Sequence, residues 1–365
     1  MRWRLVIGAA MAAAGLALVY LTVCVGRFRF VQKLSGGKKG QRILLSAALT
    51  AAFVLLLSVF MSAVNVIVVL LHLLLFFLLF GLTVRIAERV RGKKFRLNWQ
   101  GLLALGCCAV WLTAGYVLCH EVRQKDYVLE TDKKLGTLRV ALIADSHLGT
   151  TFDGEGFAEQ LAVIAAQEPD LLVITGDFVD DSSTRADLVR ACEALGETEF
   201  PYGVWYVYGN HDRGYGRGRG FTAGELEELL LQNGVHVLKD EAVLVDGRFY
   251  VAGRLDASFG QRLSAEELLA GLDADKYIIV LDHQPGDYEN ESRTAADLVL
   301  SGHTHGGQLI PINRAGEWLG VNDRTYGHER REGTDFIVTS GISDWELLFK
   351  TGTRSEYVII TVQGK

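Results

Sequence analysis

The chain has 365 residues with 37 Lys+Arg against 43 Asp+Glu, a formal net charge of −6, but that charge is unevenly spread. Residues 1–125 hold 16 basic and 2 acidic side chains, or +14, which leaves 21 basic and 41 acidic, or −20, for residues 126–365. Nearly all the long apolar runs precede His120, which excludes an ordinary soluble enzyme, and the acidic second half is a poor nucleic-acid binder because phosphate backbones are held by basic surfaces.

The apolar runs cover about residues 5–26, 43–61, 66–84 and 101–120. Each is close to the ~20 residues that cross a ~30 Å hydrocarbon core at 1.5 Å per residue. Read as one helix, 43–84 would reach roughly 60 Å, twice that thickness. A turn at residues 62–65 is therefore predicted, giving an all-α module of four spans within residues 1–120.

Two loops between the spans are basic. One carries Arg27, Arg29, Lys33, Lys38, Lys39 and Arg42; the other carries Arg85, Arg89, Arg91, Lys93, Lys94 and Arg96. Short Lys/Arg-rich loops stay cytoplasmic. The reading is a multi-pass cell-membrane protein with its second half on the extracytoplasmic side; Arg2 and Arg4 oppose this but are outnumbered. A cleavable signal peptide competes for residues 1–26 through Ala12-Ala13-Ala14. The apolar run exceeds the usual ~7–15-residue core of such peptides, and the small residues sit inside it. His72, mid-span, reads as a neutral side chain bonded to a neighbouring helix. Four cysteines (Cys24, Cys107, Cys108, Cys119) lie in the spans, and Cys192 alone in the second half cannot form an internal disulfide.

After a charged connector, residues 121–137, short β-branched runs alternate with helical patterns through 138–365. Strands are predicted at 138–144, 171–175, 203–208, 235–238, 242–245, 249–252, 277–281, 298–300, 336–339 and 356–362. Helices are predicted at 157–167, 183–195, 223–232 and 264–272, the last opened by a capping box of Ser264 and Glu267. Mixed strands with helices on both sides imply layered sheets covered by helices.

Polar clusters sit where strands end: Asp145-Ser146-His147, Gly176-Asp177-Phe178-Val179-Asp180, Gly209-Asn210-His211-Asp212, Asp282-His283 and Gly302-His303-Thr304-His305. Loops at the carboxyl ends of strands in an α/β sheet converge on one crevice. Imidazoles, carboxylates and an amide oxygen, without thiolate, suit Mn, Fe, Zn or Ni rather than a structural zinc knot. Seven candidate ligands are too many for one ion and suit two. Two cations sharing a carboxylate lower the pKa of a bridging water, so that a hydroxide can attack phosphorus near neutral pH.

In this order the five blocks resemble the signature of calcineurin-like metallophosphoesterases. The run Ser301-Gly302-His303-Thr304-His305-Gly306-Gly307-Gln308, with spans upstream, resembles the membrane-associated branch of that family. The resemblance implies a four-layer αββα sandwich over residues 138–365. It implies one metal held by Asp145, His147, Asp177 and His305, and a second held by Asp177, Asn210, His283 and His303, with manganese favoured. His211 is then the general acid or charge stabiliser over the phosphate, with Asp180 orienting its imidazole.

Arg213, Arg217 and Arg219 form the one local concentration of positive charge in the acidic half, and are candidates to clasp an anionic substrate. The runs 340–343 and 350–356 depart from the branch's usual Arg-Gly and Arg-Pro-Glu, which touches substrate contacts rather than metal binding. The expected function is a membrane-anchored phosphodiesterase or phosphatase acting on phosphate esters, including lipid-linked or envelope substrates. The rival is a membrane receptor or scaffold that keeps its metal site for structure alone.

Overall fold

In a computed structural model, residues 2–216 and 218–365 are described, except for the side chains of residues 2–7 and 10. The chain divides into two compact units, Met1–Gly115 and Tyr116–Lys365.

The first unit is helical: α1 (Arg2–Val25), α2 (Arg29–Leu34), α3 (Lys39–Phe60), α4 (Ala63–Arg91) and most of α5 (Trp99–His120). α3, α4 and α5 are each long and apolar enough to cross a membrane, and Met11–Val25 is a shorter apolar stretch within α1. The break between α3 and α4 falls at the predicted turn, where Ser62 caps α4 by accepting from the Asn65 amide at 3.4 Å. α4 ends at Gly92, whose φ of 67° is the left-handed cap that glycine adopts without a Cβ clash. His72 bonds its own helix, through Nδ1 and the Val68 carbonyl at 2.8 Å, rather than a neighbour.

The second unit holds β1 (Arg123–Glu130), β2 (Thr137–Ile143), α6 (Gly154–Ala165), β3 (Leu171–Thr175), α7 (Arg185–Glu197), β4 (Val204–Val207), α8 (Ala223–Gln232), β5 (His236–Leu238), β6 (Glu241–Val245), β7 (Phe249–Gly253), α9 (Ala265–Leu269), β8 (Tyr277–Leu281), β9 (Leu298–Ser301), β10 (Gly327–Arg331), β11 (Thr334–Val338) and β12 (Glu356–Gln363). The strands form two six-stranded sheets in the orders β1-β12-β2-β3-β4-β5 and β10-β11-β9-β8-β7-β6.

Alternation along the strands explains the layers. Val140, Leu142, Leu171 and Val173 of the first sheet pack with Ile279, Leu281, Leu298 and Leu300 of the second, forming the seam between sheets. Their neighbours Ala141, Ile143, Leu172 and Ile174 point the other way, under α6, α7 and α8. Ile278, Val280 and Val299 face α9. Strands buried on both faces read as continuous apolar runs, and each such side chain contributes about 1.5–3 kcal/mol on burial. The result is the αββα sandwich.

Two strands were not expected. The segment read as a connector contains β1, a charged strand that pairs in parallel register with β12, Arg123 opposite Glu356. β10 is equally polar and pairs antiparallel to β11. Both are edges, where only one row of backbone groups is paired and side chains stay wet, so neither carries an apolar signal. The capping box opens α9 as read, but the helix stops at Leu269.

Candidate metal centre

Five strands bring the expected ligands together. Asp145 and His147 follow β2, Asp177 follows β3 and Asn210 follows β4, all in the first sheet; His283 follows β8, and His303 and His305 follow β9 in the second. Parallel neighbours end on the same side, so each sheet delivers its loops to one edge.

Close approach there depends on Gly176 and Gly209. A Cβ on Gly176 would lie 2.4 Å from the Gly209 nitrogen, and one on Gly209 would lie 2.2 Å from Asp177 Oδ1. Five expected ligands occupy the left-handed region: Asp145 (φ 55°), His147 (37°), Asp177 (50°), His303 (71°) and His305 (47°). For residues with a Cβ this costs on the order of 1–2 kcal/mol each, a strain that concentrates where side chains must converge.

Six of the seven residues fall into two groups that could each hold an ion. Asp145, His147 and His305 form one, and Asp177, His283 and His303 the other, with ligand atoms inside each group within 4.8 Å of one another. Asn210 joins the second through Oδ1, 3.2 Å from His283 Nε2. Asp177 faces both groups, its Oδ2 lying 3.8 Å from His147 Nε2 and 3.1 Å from His283 Nε2.

The site fits metal. His147 is fully buried, and its Nε2 makes no hydrogen bond. Buried polar atoms without partners are rare and costly, and ligation satisfies them. The donor set, imidazole with carboxylate and amide oxygen, is the set divalent transition metals take.

Electrostatics divide the ligand histidines: His303 and His305 shift down, and His147 and His283 shift up beside carboxylates. Burial, with His283 nearby, pushes His303 down to about 4. Burial, then His147 and Lys350, holds His305 well below the usual imidazole range. Neutral imidazole is the ligating form. Burial also disfavours charge on His283, but the Asp177 carboxylate outweighs it and drives His283 up; in return His283 and His147 hold Asp177 below the ordinary carboxylate range against its own burial. Burial raises Asp145 to about 6.

His211 sits over this pair of groups. Its ring centroid lies 5.0 Å from that of His147, 5.3 Å from Tyr215 and 5.1 Å from the exposed Trp345. Its backbone N–H donates to Asp177 Oδ1 at 2.7 Å. Burial lowers its pKa, which Asp177 partly offsets.

Asp180 does not orient His211. Its Oδ2 lies 3.4 Å from His147 Nδ1, and its Oδ1 accepts from the Ser182 amide and hydroxyl, both at 2.7 Å. These contacts hold Asp180 at about 2 against burial. It therefore supports an expected ligand, because the chain turns at Ser182-Ser183 and brings the carboxylate back under the loop after β2.

In the arginine loop the structure reassigns Arg219. Arg219 turns inward and donates to the Asp212 carbonyl at 2.8 Å and the His211 carbonyl at 3.3 Å, fixing the backbone of the His211 loop rather than reaching for substrate. Arg213 donates to the Ser258 carbonyl at 3.0 Å. Arg217 lies outside the described residues.

Two further buried carboxylates, Asp212 and Asp344, support the site. Asp212, fully buried, accepts from four backbone amides: Asp177 (2.8 Å), Phe178 (2.8 Å), Val179 (3.1 Å) and Gly209 (2.7 Å). It ties the β3 and β4 loops together. Asp344, also fully buried, has Oδ1 3.3 Å from His305 Nδ1 and accepts from Gln308 Nε2. Such a carboxylate behind an imidazole sets which ring nitrogen faces a metal. Asp212 adjoins His211 in sequence and could have been suspected; Asp344, 39 positions beyond His305, carries no local signal.

A family model, calcineurin-like phosphoesterase, matches residues 138–307. The chain is 31% identical over 254 residues to a metallophosphoesterase of Aquifex aeolicus, covering 67% of this chain and 94% of that protein. The chain belongs to the calcineurin-like metallophosphoesterases. Two further relatives are a Campylobacter jejuni metallophosphoesterase (30% identical over 253 residues, 67% of this chain, 64% of that one) and the zebrafish transmembrane protein with metallophosphoesterase domain (28% over 298 residues, 76% and 65%). This metallophosphoesterase is thus a metal-binding hydrolase of phosphoric esters with membrane-like apolar helices. Its fold continues past the matched segment, since β12 lies inside the first sheet, between β1 and β2.

Proposed function

We propose that the chain is a membrane-anchored, two-metal phosphoesterase with its catalytic unit on the extracytoplasmic face. One carboxylate oxygen supports the two-metal reading: Asp177 Oδ2 lies between a histidine of each ligand group, at 3.8 and 3.1 Å. Asp145, His147, Asp177 and His305 hold one ion, and Asp177, Asn210, His283 and His303 the other. Manganese is favoured, and Fe, Zn and Ni suit the same donors. Two divalent ions so held lower the pKa of water and neutralise phosphate oxygens.

The chain's own groups supply the rest. His211, beside His147, presents its imidazole towards the leaving oxygen or the phosphate. Asp180 and Asp344 hold His147 and His305, and Arg219 and Asp212 hold the loop that carries His211. The substrates are phosphate esters, lipid-linked or envelope-borne.

Purified full-length protein with Mn²⁺ is expected to hydrolyse bis-p-nitrophenyl phosphate. His211→Ala should bind the same amount of metal and lose about 10²–10⁴-fold in kcat, the range for a positioned acid. Normal metal content with no turnover by the wild type, across metals and esters, would favour the receptor or scaffold instead.

The proposed membrane module, residues 1–120, crosses four times, with 5–26 as its first span, so both basic loops face the cytoplasm. An alkaline phosphatase reporter fused at Lys365 should be active and a cytoplasmic fluorescent reporter there dark. The reverse pattern overturns the topology.

A further inference from the structure

The loop that leaves the metal centre after His305 is unusually apolar at its surface. Between Gln308 and β10, four large side chains are each more than half exposed: Ile312 (61%), Trp318 (70%), Leu319 (68%) and Val321 (53%). Single exposed apolar residues are ordinary, but four within ten positions of one segment are a concentration that water does not favour.

The base of this loop belongs to a hydrogen-bonded run that ends on α5. The Ile310 amide donates to Thr351 Oγ1 at 2.9 Å, and the Thr351 amide donates to the Gln308 carbonyl at 2.8 Å. Four residues on, the Ser355 amide donates to the Leu118 carbonyl at 2.9 Å and Ser355 Oγ to the Cys119 carbonyl at 2.6 Å. Leu118 and Cys119 are the last turn of a 22-residue apolar helix, about 33 Å long and sufficient for one crossing. Only Glu121 and Val122 separate that helix from β1, a reach of about 7 Å. The last turn of α5, where a crossing helix would leave the bilayer, is therefore hydrogen-bonded to the segment that carries the base of the loop.

We infer that loop 309–321 inserts into the interfacial layer of the bilayer, and that it presents the metal centre to phosphate esters whose apolar part stays in the membrane. The occupant of the patch is lipid. Charge does not attach it, since residues 126–365 carry −20 and are repelled by anionic headgroups. Attachment must be apolar, and tryptophan with aliphatic neighbours is the composition that prefers the membrane–water interface. The loop begins four residues after His305, and Gln308 at its base donates to Asp344, the carboxylate behind that histidine, so the ligand cluster lies next to what the loop touches.

This inference rests on the phosphoesterase reading for its substrate, but not for the insertion itself, and two measurements separate them. In the first, full-length Trp318→Cys protein is labelled with an environment-sensitive fluorophore and reconstituted into phosphatidylcholine vesicles containing brominated lipid, the labelled parent chain serving as background. Quenching that persists in 0.5 M salt is expected. An unquenched, water-like signal overturns the insertion, and a signal that changes only with protein concentration assigns the patch to a second copy and overturns it too.

In the second, turnover of p-nitrophenyl hexadecyl phosphate held in the vesicles is compared with that of soluble p-nitrophenyl methyl phosphate. The double variant Trp318→Ser/Leu319→Ser is expected to lose tenfold or more on the embedded ester and to keep its rate on the soluble one. Equal loss on both, or none on either, overturns the membrane substrate. A wild type inactive on both esters refutes the phosphoesterase reading, while quenching still decides the insertion.

Discussion

Asp177→Ala is expected to reduce turnover of bis-p-nitrophenyl phosphate by about 10³-fold or more and to lower bound metal from two ions per chain to one or none. Its Oδ2 faces His147 and His283 at 3.8 and 3.1 Å, so one substitution removes a ligand from both groups. An ion's charge stabilisation of a phosphoryl transition state is worth several kcal/mol, and about 4 kcal/mol corresponds to 10³-fold. The alanine also frees the His211 N–H that Asp177 Oδ1 accepts at 2.7 Å, which loosens the loop carrying the imidazole. Metal content by plasma mass spectrometry, beside steady-state rates, separates the effects. An Asp177→Ala protein with two ions and a rate within tenfold of wild type would show that the carboxylate is not shared.

Asp212→Ala should destabilise the catalytic unit rather than remove any contact to substrate. Four backbone amides converge on its carboxylate at 2.7–3.1 Å, all in a fully buried setting. Hydrogen bonds to a charged group contribute about 1.5–3 kcal/mol each, and each buried donor left unpaired costs about 1–3 kcal/mol. Loop relaxation and entering water recover part of this, so a loss of about 4 kcal/mol is expected. At about 2–4 °C per kcal/mol for a unit of this size, Tm falls by about 8–16 °C. Asp212→Asn keeps one acceptor oxygen and should fall by roughly half as much. Calorimetry of the full chain in detergent reads both, and an alanine shift under 2 °C would mean the amides find other partners.

Where sequence reading failed, the cause was the same each time. β1 and β10 are edge strands of charged residues, so their existence depends on β12 and β11 offering free backbone groups. Asp180 follows Asp177 by three positions, which leaves open whether it serves His211 or His147; the turn at Ser182-Ser183 decides for His147 at 3.4 Å. Arg219 looks like a substrate clamp in a glycine-rich loop, yet three carbonyls within hydrogen-bond reach claim it. Asp344 serves His305 only because β12 and the segment before it return beside β9's loop.

By itself the sequence determined the kind of each segment and the chemistry it carries. Apolar runs of about 20 residues marked three helices long enough to span, β-branched runs marked the buried strands, and polar clusters at their ends marked the candidate ligands. These are local properties, set by what a stretch of chain must bury and by where strands stop. Only the tertiary structure decided which oxygen faces which nitrogen: Asp177 between two histidines, Asp180 behind one ligand and Asp344 behind another, Asp212 across four amides. Those pairings join residues 3 to 106 positions apart, and packing of the two sheets, rather than composition or period, brings them within reach.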